Sequence, residues 1–353
     1  MKIKLAIIDN DQNYLNRIVT AFTGKFSDKL EIYSFSDLAV ALETVKNGKI
    51  DVFIASDNFE VDVTQLPKRC GFVYFVDSVE IESHKGQRTI CKYQKADLIY
   101  KEILSIYSEL SDIPLFGKSG SESGTRIISF LSASGGVGSS TLAASFSMSI
   151  AKRGQKVLYL NLEQFGTTDL YFSGQGQFDF GDVIYAIKSK KSNLALKLES
   201  NVKQDASGVY FYDSCKVALD VVEMTVDDLK RLMDDLTISG YDFIVLDMNF
   251  SLDKKSVQLM KSTHNLVFVS DGSEASNKKF ERAFHALSIF EQQQDLSLCS
   301  RISIMYNKFS SKFGKQIDNG SINMIGGVPK FEQATVSQLL NKIQDMQIFD
   351  KLI

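Results

Sequence analysis

Short apolar segments alternate with longer segments of helical periodicity through the first part of the chain. The apolar, β-branched and aromatic segments predict strands at residues 4–9, 30–35, 51–56, 71–76 and 88–93. Apolar positions at helical spacing predict helices at residues 13–22, 37–48 and 96–110, with Gly48 at a helix C-terminus. Strands that alternate with helices are typical of a parallel sheet covered on both faces.

The same alternation restarts after a segment of different composition. Residues 111–125 are rich in Ser and Gly and have no sustained apolar period, which indicates a linker. After it, strands are predicted at residues 126–133, 156–162, 208–213, 241–248, 264–270 and 301–307, and helices at residues 140–154 and 225–240. Residues 193–208 are interpreted as a surface excursion of the second domain. We therefore predict an α/β protein with two parallel-sheet domains: residues 1–112, a linker at 113–124, and residues 125–353.

The charge balance argues against a large nucleic-acid interface. The chain has 40 Lys and Arg against 43 Asp and Glu, a net charge of −3, and neither half is strongly basic. The four Cys form no CxxC pair and there are three His, which predicts neither a disulfide framework nor a zinc site. No apolar run approaches the roughly 20 residues that span a bilayer, and the first residues lack the long apolar stretch of a secretory signal. We therefore expect a cytoplasmic protein.

The most informative segment is residues 130–142, in which a strand leads through a glycine-rich loop directly into a helix. Such a loop directs successive backbone N–H groups at an anion, and the helix N-terminus adds partial positive charge. Gly138 and Ser140 fit the second glycine and the magnesium-binding hydroxyl of a phosphate-binding loop. Ala133 replaces the first glycine and Ser139 replaces the lysine. In isolation, a glycine-rich turn without a ligand remains the alternative.

The strand at residues 241–248 strengthens the phosphate-loop interpretation. It is apolar and reaches an acid, Asp247. An acid at that place suits the residue that holds Mg²⁺ through water opposite a phosphate loop. Together the two segments predict a nucleotide site with ATP and Mg²⁺ as cofactors, and with Ser140 and Asp247 at the metal.

These residues resemble the MinD/ParA group of deviant phosphate-loop ATPases, in which the loop reads K-G-G-x-G-K-[ST]-T. The glycines, hydroxyls and spacing match, but both lysine positions, Ser134 and Ser139, are serine. The resemblance implies that the nucleotide-binding residues are Ser134, Gly135, Gly136, Val137, Gly138, Ser139, Ser140 and Thr141.

Further segments extend the resemblance over roughly residues 125–345. Asn161 and Glu163 stand where the group has Asp-x-Asp, and they are the switch-position candidates for catalysis. The QFG at Gln164–Gly166 is similar to the pilus-assembly branch, TadZ/CpaE. Asn307 and Pro329 match positions that lie near the adenine in the family.

The N-terminal domain resembles the degenerate response-regulator receiver that precedes the ATPase domain in TadZ/CpaE proteins. A receiver has an acidic pair after its first strand, an acceptor Asp after the third and a Lys after the fifth. Here the acidic region holds Asp9 and Asp11 with Asn10 in the second acid's place, Ser56 replaces the acceptor, and Lys92 is present. We therefore predict a flavodoxin-like, protein-binding domain in preference to a phosphorelay receiver.

The two serines bear on the chemistry that the family performs. The family's lysines neutralise phosphate charge within one subunit and across a dimer, and a trans-acting cation can contribute about 10³–10⁵ in rate. Losing one charged hydrogen bond costs roughly 1.5–3 kcal/mol, so binding can persist on backbone N–H groups and Mg²⁺ while hydrolysis becomes weak or absent. Another cation, for example Lys330, can compensate.

The resemblance therefore implies an ATP-binding, dimerising localisation or scaffold protein for Flp/Tad-type pilus or secretion assembly, at a cell pole or at the inner face of the membrane through its partners. The alternative is a cycling MinD/ParA-like positioning ATPase. MinD proteins end in a basic amphipathic helix, whereas residues 338–353 have mixed charges and are predicted to pack against the sheet. A phosphorylated response regulator is a third possibility, against which Ser56 argues.

Overall fold

A computed structural model of the protein describes residues 2–110, 124–190, 193–294, 296–310, 312, 314–318, 320 and 322–353. The chain forms two compact units. The first contains residues 2–110 and the described residues of the segment Lys190–Asn201, and the second contains the described residues of 124–189 and 202–353. Apart from Gly124, the predicted linker lies outside the described residues.

The first unit is built on one sheet. Its strands are β1 (Ile3–Ile8), β2 (Leu30–Phe35), β3 (Val52–Ser56), β4 (Gly71–Val76), β5 (Ser83–His84) and β6 (Gln87–Cys91). They lie in the order β2-β1-β3-β4-β6-β5, and all pairs are parallel except β5 with β6. The short β5 was not predicted, because two residues are too few to show a period.

The helices α1 (Gln12–Phe26), α2 (Leu38–Asn47) and α3 (Ala96–Leu110) cover this sheet. The apolar sides of α1 and α3 share one core cluster with the inward side chains of the strands, and α2 contributes to a second cluster. Gly48 ends α2 as predicted. The sheet is therefore covered on both faces, as expected for parallel strands.

The second unit is built on a larger sheet. Its strands are β7 (Arg126–Leu131), β8 (Val157–Asn161), β9 (Lys203–Gln204), β10 (Tyr210–Phe211), β11 (Phe243–Asp247), β12 (Asn265–Ser270), β13 (Ile302–Phe309) and β14 (Asn323–Pro329). They lie in the order β14-β13-β12-β7-β11-β8-β10-β9 and are parallel except for β9 with β10. The predicted α/β class with two largely parallel sheets is confirmed.

The helices of the later part of the chain are α4 (Ser139–Lys152), α5 (Phe180–Lys188), α6 (Leu194–Asn201), α7 (Leu219–Val222), α8 (Val226–Thr237), α9 (Lys254–Lys261), α10 (Glu274–Gln294) and α11 (Val336–Ile343). Helix α4 packs centrally, and its apolar residues share a core cluster with the strands. Leu340 and Ile343 of α11 are buried in the same cluster, and α11 packs on α4. No helix in the described parts of the chain has the length and apolar character that a bilayer crossing requires.

Helix α6 differs from its interpretation as a surface excursion of the second domain. It packs on α3 and is part of the first unit. Leu196 is 1% exposed and joins the α1/α3 core cluster. Lys197 donates a hydrogen bond to Ser105 of α3 at 3.0 Å, and Glu199 pairs with Lys29. The later part of the chain therefore supplies one helix to the fold of the first unit.

Candidate functional site

The phosphate-binding loop lies between β7 and α4, as its sequence predicts. Gly136 and Gly138 have positive φ angles of 76° and 86°, a region that glycine enters without strain. At Gly138 a second constraint applies, because an added Cβ would lie 2.4 Å from Nδ2 of Asn307. This position therefore requires glycine for two reasons: its positive φ angle and the space that the Asn307 side chain occupies.

Hydrogen bonds of Ser132 fix the start of the loop, whereas the N–H groups at the N-terminus of α4 have no side-chain cap among the described residues. The Ser132 hydroxyl accepts a hydrogen bond from the Ser134 N–H at 3.0 Å and lies 2.9 Å from the carbonyl oxygen of Val269. Gly138 is the N-cap of α4, and no side chain among the described residues caps this helix. The first N–H groups of a helix need an acceptor. This geometry suits an anion in the loop.

The acidic side of the site forms where neighbouring parallel strands end. Asp247, the last residue of β11, is paired in register with Asn161 of β8 and with Phe130 of β7. Asp247 is fully buried. Its Oδ2 accepts hydrogen bonds from the Tyr159 hydroxyl at 2.6 Å and from Asn161 Nδ2 at 3.0 Å. The predicted metal acid and the first switch candidate are therefore in direct contact.

The other carboxylate oxygen of Asp247 has weaker support. Oδ1 is buried, and neither the nearby Ser140 hydroxyl nor any other described residue donates a hydrogen bond to it. Burial, followed by the charge of the nearby Glu163 carboxylate, raises the pKa of Asp247 to about 7, although the nearby Ser140 hydroxyl lowers this pKa in part. Burial also raises the pKa of Glu163. Uncompensated negative charge of this kind is stabilised by a cation.

Asn161 organises this side of the site instead of acting as a base. Its Oδ1 accepts a hydrogen bond from the Glu163 N–H at 2.9 Å, while its Nδ2 donates to Asp247. Glu163 Oε2 lies 3.4 Å from the Ser140 hydroxyl in the first turn of α4. An added Cβ at Gly166 would lie 2.5 Å from Asn161 Oδ1, so the glycine of the QFG segment permits this close approach. Side-chain oxygen atoms of Ser140, Glu163 and Asp247, which are suitable ligands for a cation, thus lie in the same part of the site.

The predicted adenine side also meets the loop. Asn307, at the end of β13, donates a hydrogen bond to the Val137 carbonyl at 2.8 Å. Pro329, the last residue of β14, is paired in register with Phe309 and is exposed. The structure therefore brings Asn307 to the phosphate loop, whereas Pro329 lies two residues beyond it along the paired strand.

Lys308 is a residue of the loop region that was not predicted from the sequence. Its ammonium group donates a hydrogen bond to the Gly136 carbonyl at 2.8 Å, so a lysine does reach the loop, but from β13. The proposed substitute, Lys330, is exposed and lies 3.7 Å from Glu332. The signal that was available is that Lys308 follows Asn307 at the end of a strand. Strands of a parallel sheet end at the same edge as the loop.

The first unit holds a second charged site at the ends of β1, β3 and β6. The Lys92 ammonium lies 2.9 Å from Asp9 Oδ2 and donates a hydrogen bond to the Ser56 hydroxyl at 3.1 Å. Asp9, Ser56 and Lys92 are all buried. Asp11 instead caps α1, where it accepts from the N–H groups of Asn13 and Tyr14. The receiver-like positions therefore meet, but as a closed ion pair around a serine.

Neither unit contains a group of three or more His, Cys, Asp or Glu side chains able to form a metal centre, within the residues that the structure describes. A divalent cation in the second unit would therefore need further ligands, such as water or phosphate oxygens.

Two family models match the chain. Residues 1–108 match the TadZ-like receiver domain, and residues 125–299 match an AAA domain. None of the curated proteins is significantly similar to the sequence.

Several solved structures are similar to this chain. The ParA family ATPase from Chlorobium tepidum TLS is 22% identical with a TM-score of 0.52, over 64% of this chain and 97% of that one. A plasmid partition protein from Borrelia burgdorferi is 18% identical with a TM-score of 0.49, over 65% and 100% of the two chains. The septum site-determining protein MinD complexed with Mg-ADP from Pyrococcus horikoshii OT3 is 19% identical with a TM-score of 0.49, over 65% and 94%.

The second unit has a MinD/ParA-like P-loop fold, and it follows a receiver-like domain in the same chain. The order of these two domains is similar to the architecture of TadZ/CpaE-like proteins, and residues 1–108 match the model of the TadZ-like receiver domain.

Proposed function

We propose that this protein binds Mg·ATP, dimerises around the nucleotide, and acts as a localisation or scaffold protein in the assembly of a Flp/Tad-type pilus. The observation that carries the proposal is a preserved phosphate loop, with open helix N–H groups and an uncompensated Asp247, in which both lysine positions are serine. The TadZ-like receiver match supports the pilus-assembly branch.

The residues present fit a magnesium nucleotide. The loop N–H groups of residues 134–141 would bind the phosphates, and Ser140 with Asp247 would hold Mg²⁺, Asp247 through water. The buried Oδ1 of Asp247, which lacks a hydrogen bond, supports this assignment. The bound cation would neutralise phosphate charge. Around it, Asn161 fixes the orientation of Asp247 and Glu163.

Hydrolysis is expected to be weak or absent. Ser134 and Ser139 supply no positive charge, and charge stabilisation is the main contribution of the protein to phosphoryl transfer. Asn161, at the first switch position, cannot accept a proton at neutral pH and is already engaged with Asp247. Binding relies less on those charges, because the loop N–H groups and the helix N-terminus remain.

The surface beside the site supports a role in assembly. Phe165, two residues after Glu163, is 74% exposed, and Leu170 is 57% exposed. Large apolar side chains beside a ligand site are typical of surfaces covered by another protein. A second copy of the chain, as in the proposed dimer, would cover them.

The first experiment is to incubate the purified protein with Mg·ATP, remove free nucleotide by desalting, and identify what co-elutes by anion-exchange chromatography. Intact ATP at about one per chain, with no phosphate released, is the expected result. ADP with released phosphate would contradict weak hydrolysis and favour the cycling positioning ATPase. Absence of any nucleotide would contradict ATP binding itself. Sedimentation with and without Mg·ATP measures dimerisation separately.

A further inference from the structure

The end of strand β13 is shaped so that two consecutive side chains point at the phosphate loop. The register between β13 and β14 shifts between Tyr306 and Phe309, an irregularity that includes Asn307 and Lys308. Lys308 has a φ of 54°, in the left-handed region that a lysine rarely adopts. Bulges redirect side chains, and strained residues persist where the surrounding contacts hold them.

Both redirected side chains bond to the loop backbone. Asn307 Nδ2 contacts the Val137 carbonyl and Lys308 Nζ contacts the Gly136 carbonyl, each at 2.8 Å. Asn307 is buried, whereas Lys308 remains exposed to solvent. An ammonium group has three donors, so one bond to Gly136 leaves two for a ligand. The charge of Lys308 therefore lies against the loop backbone, close to Gly136 and Gly138.

We propose that Lys308 is the cation of this phosphate loop: it supplies to a bound nucleoside triphosphate positive charge that Ser134 and Ser139 do not supply. The inference rests on the proposed nucleotide binding and identifies the chain's own residue that strengthens it. Lys308 acts as a binding residue through its charge, in addition to its hydrogen bond with the loop. No hydrolytic step is assigned to it.

The test separates charge from hydrogen bonding by two substitutions. Lys308→Arg keeps the charge and the donors, whereas Lys308→Gln keeps a donor for the Gly136 carbonyl but removes the charge. Glutamine tolerates this backbone conformation elsewhere in the chain, because Gln333 has a φ of 57°. Lys152→Gln is the matched control, since Lys152 lies in an exposed pair with Asp345 at the end of α4 opposite the loop. Circular dichroism melts check that each full-length variant folds.

Binding of Mg·AMPPNP and of Mg·ADP is then measured by isothermal titration calorimetry at low and high salt. We expect K308Q to bind AMPPNP about tenfold or more weakly than the wild type, because a charge-assisted hydrogen bond is lost. ADP should be affected less, since it carries less charge. K308R should stay within a few-fold of the wild type, and K152Q should be unchanged. The deficit of K308Q should shrink at high salt.

Three outcomes would overturn the inference. If K308Q binds AMPPNP like the wild type, the charge of Lys308 is unused. If K308Q and K308R lose affinity equally for both nucleotides, Lys308 only braces the loop. If the wild type binds neither nucleotide, the proposed function fails and the inference fails with it, a result distinct from the other two.

Discussion

The two units have sites at equivalent places in their sheets, but the two sites differ in how their buried acidic charge is compensated. Each site lies at the carboxyl ends of parallel strands, and each has serine where a related fold uses a reactive or charged residue. In the first unit, Lys92 neutralises Asp9 directly and bonds to Ser56. In the second, Asp247 and Glu163 lie near each other, and the pKa of both is raised.

The difference indicates which site still requires a ligand. The charge of Asp9 is neutralised by the Lys92 ammonium group 2.9 Å away, whereas the buried carboxylate of Asp247 has no cation beside it among the described residues and is destabilising in its charged form. The receiver-like site therefore has the character of a structural ion pair, and the phosphate-loop site that of a binding site.

The largest expected effect tests the closed ion pair. Lys92→Met should lower the free energy of unfolding of the first unit by about 3–5 kcal/mol, because it leaves Asp9 buried without a partner. The double variant D9N/K92M should recover most of the loss. Urea unfolding followed by far-ultraviolet circular dichroism measures this, since the chain has no Trp.

Lys85→Met is the control for that variant. Lys85 lies 3.2 Å from Glu60 in an exposed pair, which predicts a change of at most about 1 kcal/mol. If K85M and K92M lower the free energy of unfolding equally, the buried pair contributes no more than an exposed one. The contrast between the two sites would then be lost.

The next effect concerns the shape of the phosphate loop. Gly138→Ala should cost about 1–3 kcal/mol in unfolding free energy, because its φ is positive and Asn307 occupies the space. Gly135→Ala is the comparison, since an added Cβ there meets no atom within 4 Å. Denaturant titrations without nucleotide measure both. A stable G138A variant would mean that Asn307 moves away freely.

An effect of opposite sign is expected at Asp247. Because its folded pKa of about 7 exceeds the ordinary value of 3.8, the wild-type protein loses stability as the pH rises from about 4 to 7. Asp247→Asn removes this loss and keeps an oxygen that accepts from Tyr159 and Asn161. Without Mg²⁺ or nucleotide, its advantage over the wild type should grow by about 2–3 kcal/mol between pH 5 and pH 8.

Thermal melts across that pH range check the trend, with Asp345→Asn as a control at an exposed pair with Lys152. D345N should follow the wild-type curve. If D247N is less stable than the wild type at pH 8, the carboxylate is already compensated and the comparison between the two sites is wrong.

The last prediction is that the first unit is not phosphorylated. Incubation with acetyl phosphate and Mg²⁺ should leave the intact mass of the protein unchanged, because Ser56 lacks an acceptor carboxylate and Lys92 occupies the site. Mass spectrometry of the full chain measures this. A stable phosphoryl adduct on the first unit would reopen the response-regulator interpretation.

The sequence predicted most of the fold because its strands are apolar, short and separated by periodic helices. It also predicted the loop between a strand and a helix and the strand that ends at Asp247. These features follow from local patterns.

What it missed depends on contacts between distant segments. Leu194, Leu196 and Leu198 alternate at a spacing of two, which hides the helix α6 and gives no sign that Leu196 enters the core of the first unit. The contact of Lys308 with Gly136 depends on an irregular strand end, and nothing in the local sequence marks that irregularity.

Helix α6 determines how this protein can be divided into fragments that fold. The chain leaves the second unit after Ser189, places α6 on the first, and returns at Val202. A fragment that ends before the phosphate loop would therefore lack α6, and with it the Leu196 side chain of its core. A fragment that begins at the loop would contain α6 without the core on which this helix packs. A chimera that exchanges one unit for that of another protein would therefore need an α6 that matches the core of its first unit.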